Sequence, residues 1–173
     1  MKKVFLLFFG VFILSCVKIN SPTSYTLEIT PNMIDSYLKK EFPVEQELTV
    51  GKIILKDPVS SVQNDRLSVG TTVVVKIPFI PEIKGKAYVS GNVAFNQETK
   101  ELFIVNPSVD KLIFQNTDLL KYVPESTKQI FTQNIAETIS KIPVYKVEAD
   151  TVYSKFLKNI GLKNGKILLT FGF

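Results

Sequence analysis

Histidine is absent from this chain of 173 residues, and cysteine and arginine occur once each, as Cys16 and Arg66. Without histidine, the Ser-His-Asp and Cys-His arrangements of nucleophilic catalysis and the common zinc sites are unavailable. Arginine is the side chain best suited to bidentate recognition of phosphates and bases, so nucleic acid is a poor candidate partner. A single cysteine also forms no intramolecular disulfide.

The acidic residues are scattered along the chain. Asp110, Asp118, Glu125 and Asp150 fall in predicted turns and helix starts, where capping explains them better than acid-base chemistry. We therefore expect no enzymatic activity, no cofactor and no metal site.

The first fifteen residues have the layout of a secretory signal peptide. A positive Met-Lys-Lys start precedes an apolar core at residues 4–14. Even with the residues up to Val17, this stretch is shorter than the roughly 20 residues that a transmembrane helix needs. The sequence therefore predicts secretion without a membrane-spanning helix.

The residues before Cys16, Ile13-Leu14-Ser15, resemble a bacterial lipobox. On this interpretation Cys16 is acylated and becomes the first residue of the mature protein. An aspartate directly after the acylated cysteine would resemble an inner-membrane retention signal. Val17 occupies that position instead, which favours an outer-membrane lipoprotein that faces the periplasm. An ordinary secreted protein and an uncleaved signal anchor remain as alternatives.

Removing the signal leaves residues 16–173, with 19 basic residues, 16 acidic residues and a net charge of +3. This length suits one domain. We expect residues 16–23, which are polar and interrupted by Pro22, to be the lipidated cysteine and a short tether. Residues 24–173 would then form a single α+β domain.

Two periodicities predict the elements of this domain. Thr30 and Pro31 begin a helix that ends before Pro43. Residues 46–115 then alternate with period two and predict a meander of four long, curved strands, with a turn at residues 78–81 and a bulge at Asn106-Pro107. The face predicted to point inward along the clearest strand contains Ile83, Gly85, Ala87, Val89, Gly91, Val93 and Phe95.

Later segments predict the remaining elements. Residues 118–141 have helical spacing with a kink at Pro124, residues 150–161 predict a short helix, and residues 166–173 predict a last strand. The expected fold is a long curved antiparallel meander wrapped around a long kinked helix, with additional short helices. The small residues Gly85, Ala87 and Gly91 indicate either sheet bending and close helix packing or an unfilled groove.

The order of these segments, with the phrases YTLEIT, IDSYLKKEF, LFIVNPSVDKL, KIPVYKV and LKNGKI, resembles the YceB-type periplasmic lipoproteins, a largely uncharacterised family of Gram-negative bacteria. Members of that family resemble the tubular lipid-binding (TULIP) superfamily, in which a curved sheet wraps a helix and leaves an apolar tube for acyl chains. The resemblance implies a lipid-binding fold and supplies no catalytic residues.

Two functions follow as hypotheses. In the first, the membrane-anchored domain binds a lipid, a fatty acid or another apolar ligand in a groove between sheet and helix, and Lys76, Lys84 and Lys86 on the opposite strand face meet headgroups only at a rim. In the second, a lipoprotein with a filled core acts through its surface on a protein partner that the sequence does not identify. The residues predicted to line the groove are Val73, Val75, Ile77, Ala87, Val89, Val93, Ile135, Ile139, Leu169 and Phe171.

Overall fold

The computed structural model describes residues 17–21, 24–49, 51–115, 125–148 and 156–172. Cys16 and the signal peptide at residues 1–15 lie outside this part, so their interpretation stays a prediction. Two antiparallel sheets and two helices build the described fold around one apolar core. Strands make up 60% of it, so the fold is mostly β, with a smaller helical share than predicted.

The larger sheet contains the predicted meander. Its six strands lie in the order β3-β4-β5-β6-β7-β8, each antiparallel to its neighbours. The long period-two alternation gives the four central strands their length, since each inward side chain enters the core. The bounds are β3 Val44–Glu47, β4 Lys52–Gln63, β5 Arg66–Lys76, β6 Ile83–Asn96, β7 Glu101–Phe114 and β8 Tyr145–Lys146.

Bulges bend this sheet. One lies between Lys56 and Val59 in β4, and others interrupt the pairing of β6 with β7, including the predicted one at Asn106-Pro107. A bulge adds an unpaired residue to one strand, which bends the strand and increases its twist. The result is an open, curved antiparallel sheet.

A smaller sheet has the order β1-β2-β10-β9, with bounds β1 Val17–Ser21, β2 Ser24–Ile29, β9 Leu157–Lys163 and β10 Lys166–Gly172. The last strand was predicted, and its inward residues Ile167, Leu169 and Phe171 are buried. Val17–Ser21, predicted as tether, instead pairs with β2. The first strand of the fold therefore starts directly after Cys16.

The predicted helix at residues 150–161 is wrong for its second half, since β9 begins at Leu157. The two residues Asn164 and Gly165 connect β9 to β10, and both have positive φ, 53° and 72°. An Asn-Gly pair suits the two-residue turn that matches the twist of a hairpin. Pairing with β10 thus overrides the helical spacing of these residues.

Two helices pack on the long sheet. α1 spans Pro31–Glu41, as predicted, and lies against β4 and β8. α2 spans Glu125–Lys141 and lies mainly against β7. A long kinked helix is not shown: α2 is one helix of 17 residues, and residues 118–124 lie outside the described part.

Aromatic rings join the small sheet to the long one. Phe171 on β10 stacks on Tyr25 of β2, with ring centroids 5.2 Å apart, and meets Phe95 of β6 edge-on at 6.0 Å. Phe95 lies near the end of β6, so the small sheet packs at that end. The opposite end of β6, at Ile83, follows the turn at residues 78–81.

Candidate functional site

The ten side chains predicted to line a ligand site lie in the core or against it. Eight have at most 2% of their surface exposed: Val73, Val75, Ala87, Val89, Ile135, Ile139, Leu169 and Phe171. Ile77 and Val93 are partly buried against the same cluster. Such low exposure leaves no water-sized space beside the eight, so they form packed core rather than the wall of an open tube. Their role as ligand contacts stays a prediction.

The glycines of β6 make room for β7. A Cβ atom on Gly85 would lie 2.8 Å from Cδ1 of Phe114, and one on Gly91 would lie 2.5 Å from Cγ2 of Ile104. Both distances are too short for real carbon atoms. The space beside these glycines is thus filled by the neighbouring strand β7. This agrees with the sheet-bending interpretation, but the close contact is with a strand and not with the helix that was expected.

An apolar groove opens at one end of the long sheet. Its volume is about 480 Å³, within the range of about 300 to 1,000 Å³ that small-molecule sites occupy. We call it the Ile77 groove and define it by its lining residues, which come from the β3–β4 turn, the end of β5 and α2: Glu47, Leu48, Thr49, Ile77, Ile130, Phe131 and Asn134. Of the ten predicted residues, it contains Ile77.

The local structure explains why the groove is open. β3 is short and ends at Glu47, and Gly51, at φ +93°, turns the chain into β4. On α2, Phe131 points into the core, whereas Ile130 is 51% exposed at the groove. Asn134 also lines the groove, and its side-chain amide donates a 2.8 Å hydrogen bond to the Ile130 carbonyl. The groove thus combines an apolar wall with a few polar groups.

Sequence reasoning missed Leu48, Ile130 and Phe131 as site residues. Leu48 falls in a segment read as one strand, although Gly51 is a turn signal within it. Ile130 and Phe131 are adjacent in a helix, about 100° apart around its axis, so they cannot both lie at the centre of one buried stripe. That conflict was the available signal for an apolar side chain left outside the core.

The turn that follows Ile77 is also apolar. Residues 78–81, Pro-Phe-Ile-Pro, connect β5 to β6 and are all exposed; we call them the PFIP turn. Phe79 is fully exposed and Ile80 is 46% exposed. The PFIP turn thus forms an exposed apolar projection that directly follows Ile77 in the chain.

A larger depression lies between α1 and β4, with a volume of about 550 Å³. It is shallower, and Lys39, Lys56 and Asp57 form part of its wall. Of its apolar members, Phe42 reaches the core, whereas Pro43 and Val59 are exposed. We therefore prefer the Ile77 groove as the candidate site.

The described residues hold no cluster of three or more acidic, cysteine or histidine side chains that could bind a metal. Within the same residues, no helix has the length and hydropathy to cross a membrane. Near the PFIP turn, a hydrogen bond from Lys76 lowers the pKa of Glu82, with Nζ and Oε1 2.8 Å apart. This end of the sheet thus combines exposed apolar side chains with the Lys76–Glu82 ion pair.

A family model matches most of the chain. The family model described as a protein of unknown function (DUF1439) matches residues 29–166. No curated protein matches the chain. The matched range includes both helices, the whole long sheet and all residues of the Ile77 groove, whereas Cys16 lies before it.

Proposed function

The chain belongs to the DUF1439 family, whose function is unknown, and we propose that it is an envelope lipoprotein that binds an acyl chain of a lipid in the Ile77 groove. The observation that carries the proposal is the convergence of Leu48, Ile77, Ile130 and Phe131, from three separate elements, on one open apolar space. The proposal assigns no chemical reaction and no cofactor.

Membrane attachment is part of this proposal. The lipobox-like residues before Cys16 support acylation, and two or more acyl chains are needed for stable anchoring. Since β1 starts at Val17, an acylated Cys16 would hold the small sheet close to the outer membrane, on its periplasmic side. The likeness to YceB-type lipoproteins and to the tubular lipid-binding superfamily supports the same function through sequence phrases.

The groove favours the tail of a lipid over its head. Each methylene group that leaves water contributes about 0.8 kcal/mol, and the wall offers apolar side chains for several of them. Glu47 is the acidic residue of the rim, and it would repel the carboxylate of a free fatty acid. An esterified lipid, whose headgroup remains outside, suits this rim better.

Native mass spectrometry tests the proposal on residues 17–173, which contain every described element. The protein is purified without detergent and incubated with phospholipid vesicles. We expect an added mass that extraction identifies as lipid. Ile130→Glu, which puts a charge in the groove, should abolish it. Ile113→Glu, at a similarly exposed isoleucine on β7, should retain it. A wild-type protein that takes up no lipid would refute the proposal.

A specific observation favours a second candidate. Eight of the predicted lining residues are core, and β7 occupies the space beside Gly85 and Gly91. A lipoprotein with such a filled core would act on protein partners through its surface. In that case, the wild-type protein would show no added lipid mass after incubation with vesicles.

A further inference from the structure

The PFIP turn exposes more apolar surface than the fold requires. Pro78, Phe79, Ile80 and Pro81 are all exposed at the end of the β5–β6 hairpin. A hairpin turn of this kind is normally built from small or polar residues. Phe79 is fully exposed, so its ring contributes little to packing in the described fold.

The backbone conformation at position 79 is also unfavourable for phenylalanine. Its φ of +65° lies in the left-handed region, which glycine adopts without cost and which is strained for a bulky residue. Stability alone would favour glycine or asparagine at this position. An aromatic ring held outward in a strained turn indicates a binding role outside the fold.

Basic residues surround the turn. Lys76 pairs with Glu82, and Lys84 follows on β6. Lys56 and Lys86 lie on the same outward face of the long sheet, both paired in register with Thr72. Among the residues that the structure describes, Lys56, Lys84 and Lys86 form no direct ion pair, although the charges of Lys84 and Lys56 help to lower the pKa of Glu82. Their charges are therefore available to an anionic surface.

We propose that the PFIP turn inserts into the interface of an anionic phospholipid bilayer, while the outward lysines of β4, β5 and β6 contact the headgroups. Such an interface has two layers. The apolar side chains of the turn would enter the boundary of the acyl chains, and the lysines would contact the anionic headgroups. Insertion would also remove the exposed ring of Phe79 from water. The inference does not require the Ile77 groove to bind lipid.

The proposal predicts the orientation of the molecule on the bilayer. Ile83 and Phe95 are twelve residues apart on β6, which corresponds to about 40 Å of strand. The small sheet packs at the Phe95 end, whereas the PFIP turn follows the Ile83 end. A chain held at Cys16 and at the PFIP turn would therefore lie lengthwise along the bilayer.

The absence of tryptophan from the chain allows a single reporter, Phe79→Trp. Mature protein made from the full chain is reconstituted with vesicles of phosphatidylethanolamine and phosphatidylglycerol, with bromine atoms on the acyl chains. We expect the tryptophan emission to shift to shorter wavelength and to be quenched by bromine. Thermal melting checks that the variant remains folded.

Two controls separate insertion from simple proximity. Tyr88→Trp puts the reporter on the outward face in the middle of β6 and should show weaker quenching. Vesicles of phosphatidylcholine alone, and salt near 1 M, where the screening length is about 3 Å, should reduce the quenching at position 79. If the emission at position 79 equals that in vesicle-free buffer, or is unaffected by lipid charge and salt, the proposal is overturned. Loss of quenching would leave the mass-spectrometry test of the groove unaffected.

Discussion

Asp35 of α1 accepts a 2.6 Å hydrogen bond from the backbone N–H of Ser60 on β4. Ser60 is buried, and its hydroxyl also donates to the carbonyl of Pro31 at the start of α1. The first helix is thus joined to the long sheet just beyond the bulge at Asp57-Pro58. A buried N–H that loses its acceptor keeps its full desolvation cost.

Asp35→Ala should therefore lower the free energy of unfolding by about 1 to 3 kcal/mol. Asp35→Asn retains a side-chain oxygen as acceptor and should cost less. Urea unfolding of both variants checks the prediction. Equal stability of Asp35→Ala and the wild type would show that the hydrogen bond contributes nothing.

Gly91→Ala should destabilise the fold. The new Cβ would lie 2.5 Å from Cγ2 of Ile104 and 2.6 Å from the carbonyl oxygen of Val105, and such overpacking typically costs about 1 to 3 kcal/mol. Gly161→Ala is the matched control, because its Cβ would meet nothing closer than 3.9 Å. Thermal or urea unfolding should separate the two variants; equal losses would argue against the close contact with Ile104.

Ile135→Ala should cost about 2 to 5 kcal/mol if the inner face of the long sheet is filled, since truncation leaves a cavity. Ile135 is fully buried on α2. Ile130→Ala, five residues earlier in the same helix and half exposed, should cost much less. The measurement is equilibrium unfolding of lipid-free protein. A small loss at Ile135 would indicate that its surroundings are already hollow.

Phe79→Gly should leave the fold as stable as the wild type or slightly more stable. Glycine relieves a left-handed strain of about 1 to 2 kcal/mol, and its greater freedom in the unfolded chain offsets about 0.5 to 1 kcal/mol of that gain. Ile80→Gly removes a side chain from the same turn without that relief, and should be neutral or destabilising. Differential scanning calorimetry compares the two. A clear loss of stability in Phe79→Gly would mean that the aromatic ring supports the fold.

Glu82 should titrate below its ordinary value of 4.5, chiefly because Lys76 donates a hydrogen bond to its carboxylate. A folded-state pKa that is lowered contributes stability above pH 4.5, and this contribution is lost as the pH falls through the folded pKa. NMR titration of the Glu82 side chain should show a higher pKa in Lys76→Gln. Lys111→Gln, at a lysine that does not affect Glu82, should leave the pKa unchanged.

Much of the architecture could be predicted because long stretches of the chain follow one period. The alternation from β4 to β7 persists over strands of 11 to 14 residues, so strand type and inward face were recoverable. β9 was misread because Leu157 and Ile160 also fit a helix. Its state is decided by pairing with β10 through the Asn164-Gly165 turn.

The candidate site was less predictable. Whether an inward residue lines a cavity or is covered by packing depends on the residues opposite it on the neighbouring strand. Gly85 and Gly91 could line a cavity in one register, but the observed register brings Phe114 and Ile104 against them. The Ile77 groove joins the ends of segments far apart in sequence, Leu48 and Ile130 among them. No local sequence pattern predicts that these segments come together.

The bulges that bend the long sheet also bear on self-association. Pro58 and Pro107 lie in β4 and β7, beyond the stretches covered by the short strands β3 and β8. A proline offers no N–H to an incoming strand, and a bulge twists the strand away from a flat template. Copies of the chain that meet side by side would therefore resist joining their sheets into a continuous fibril.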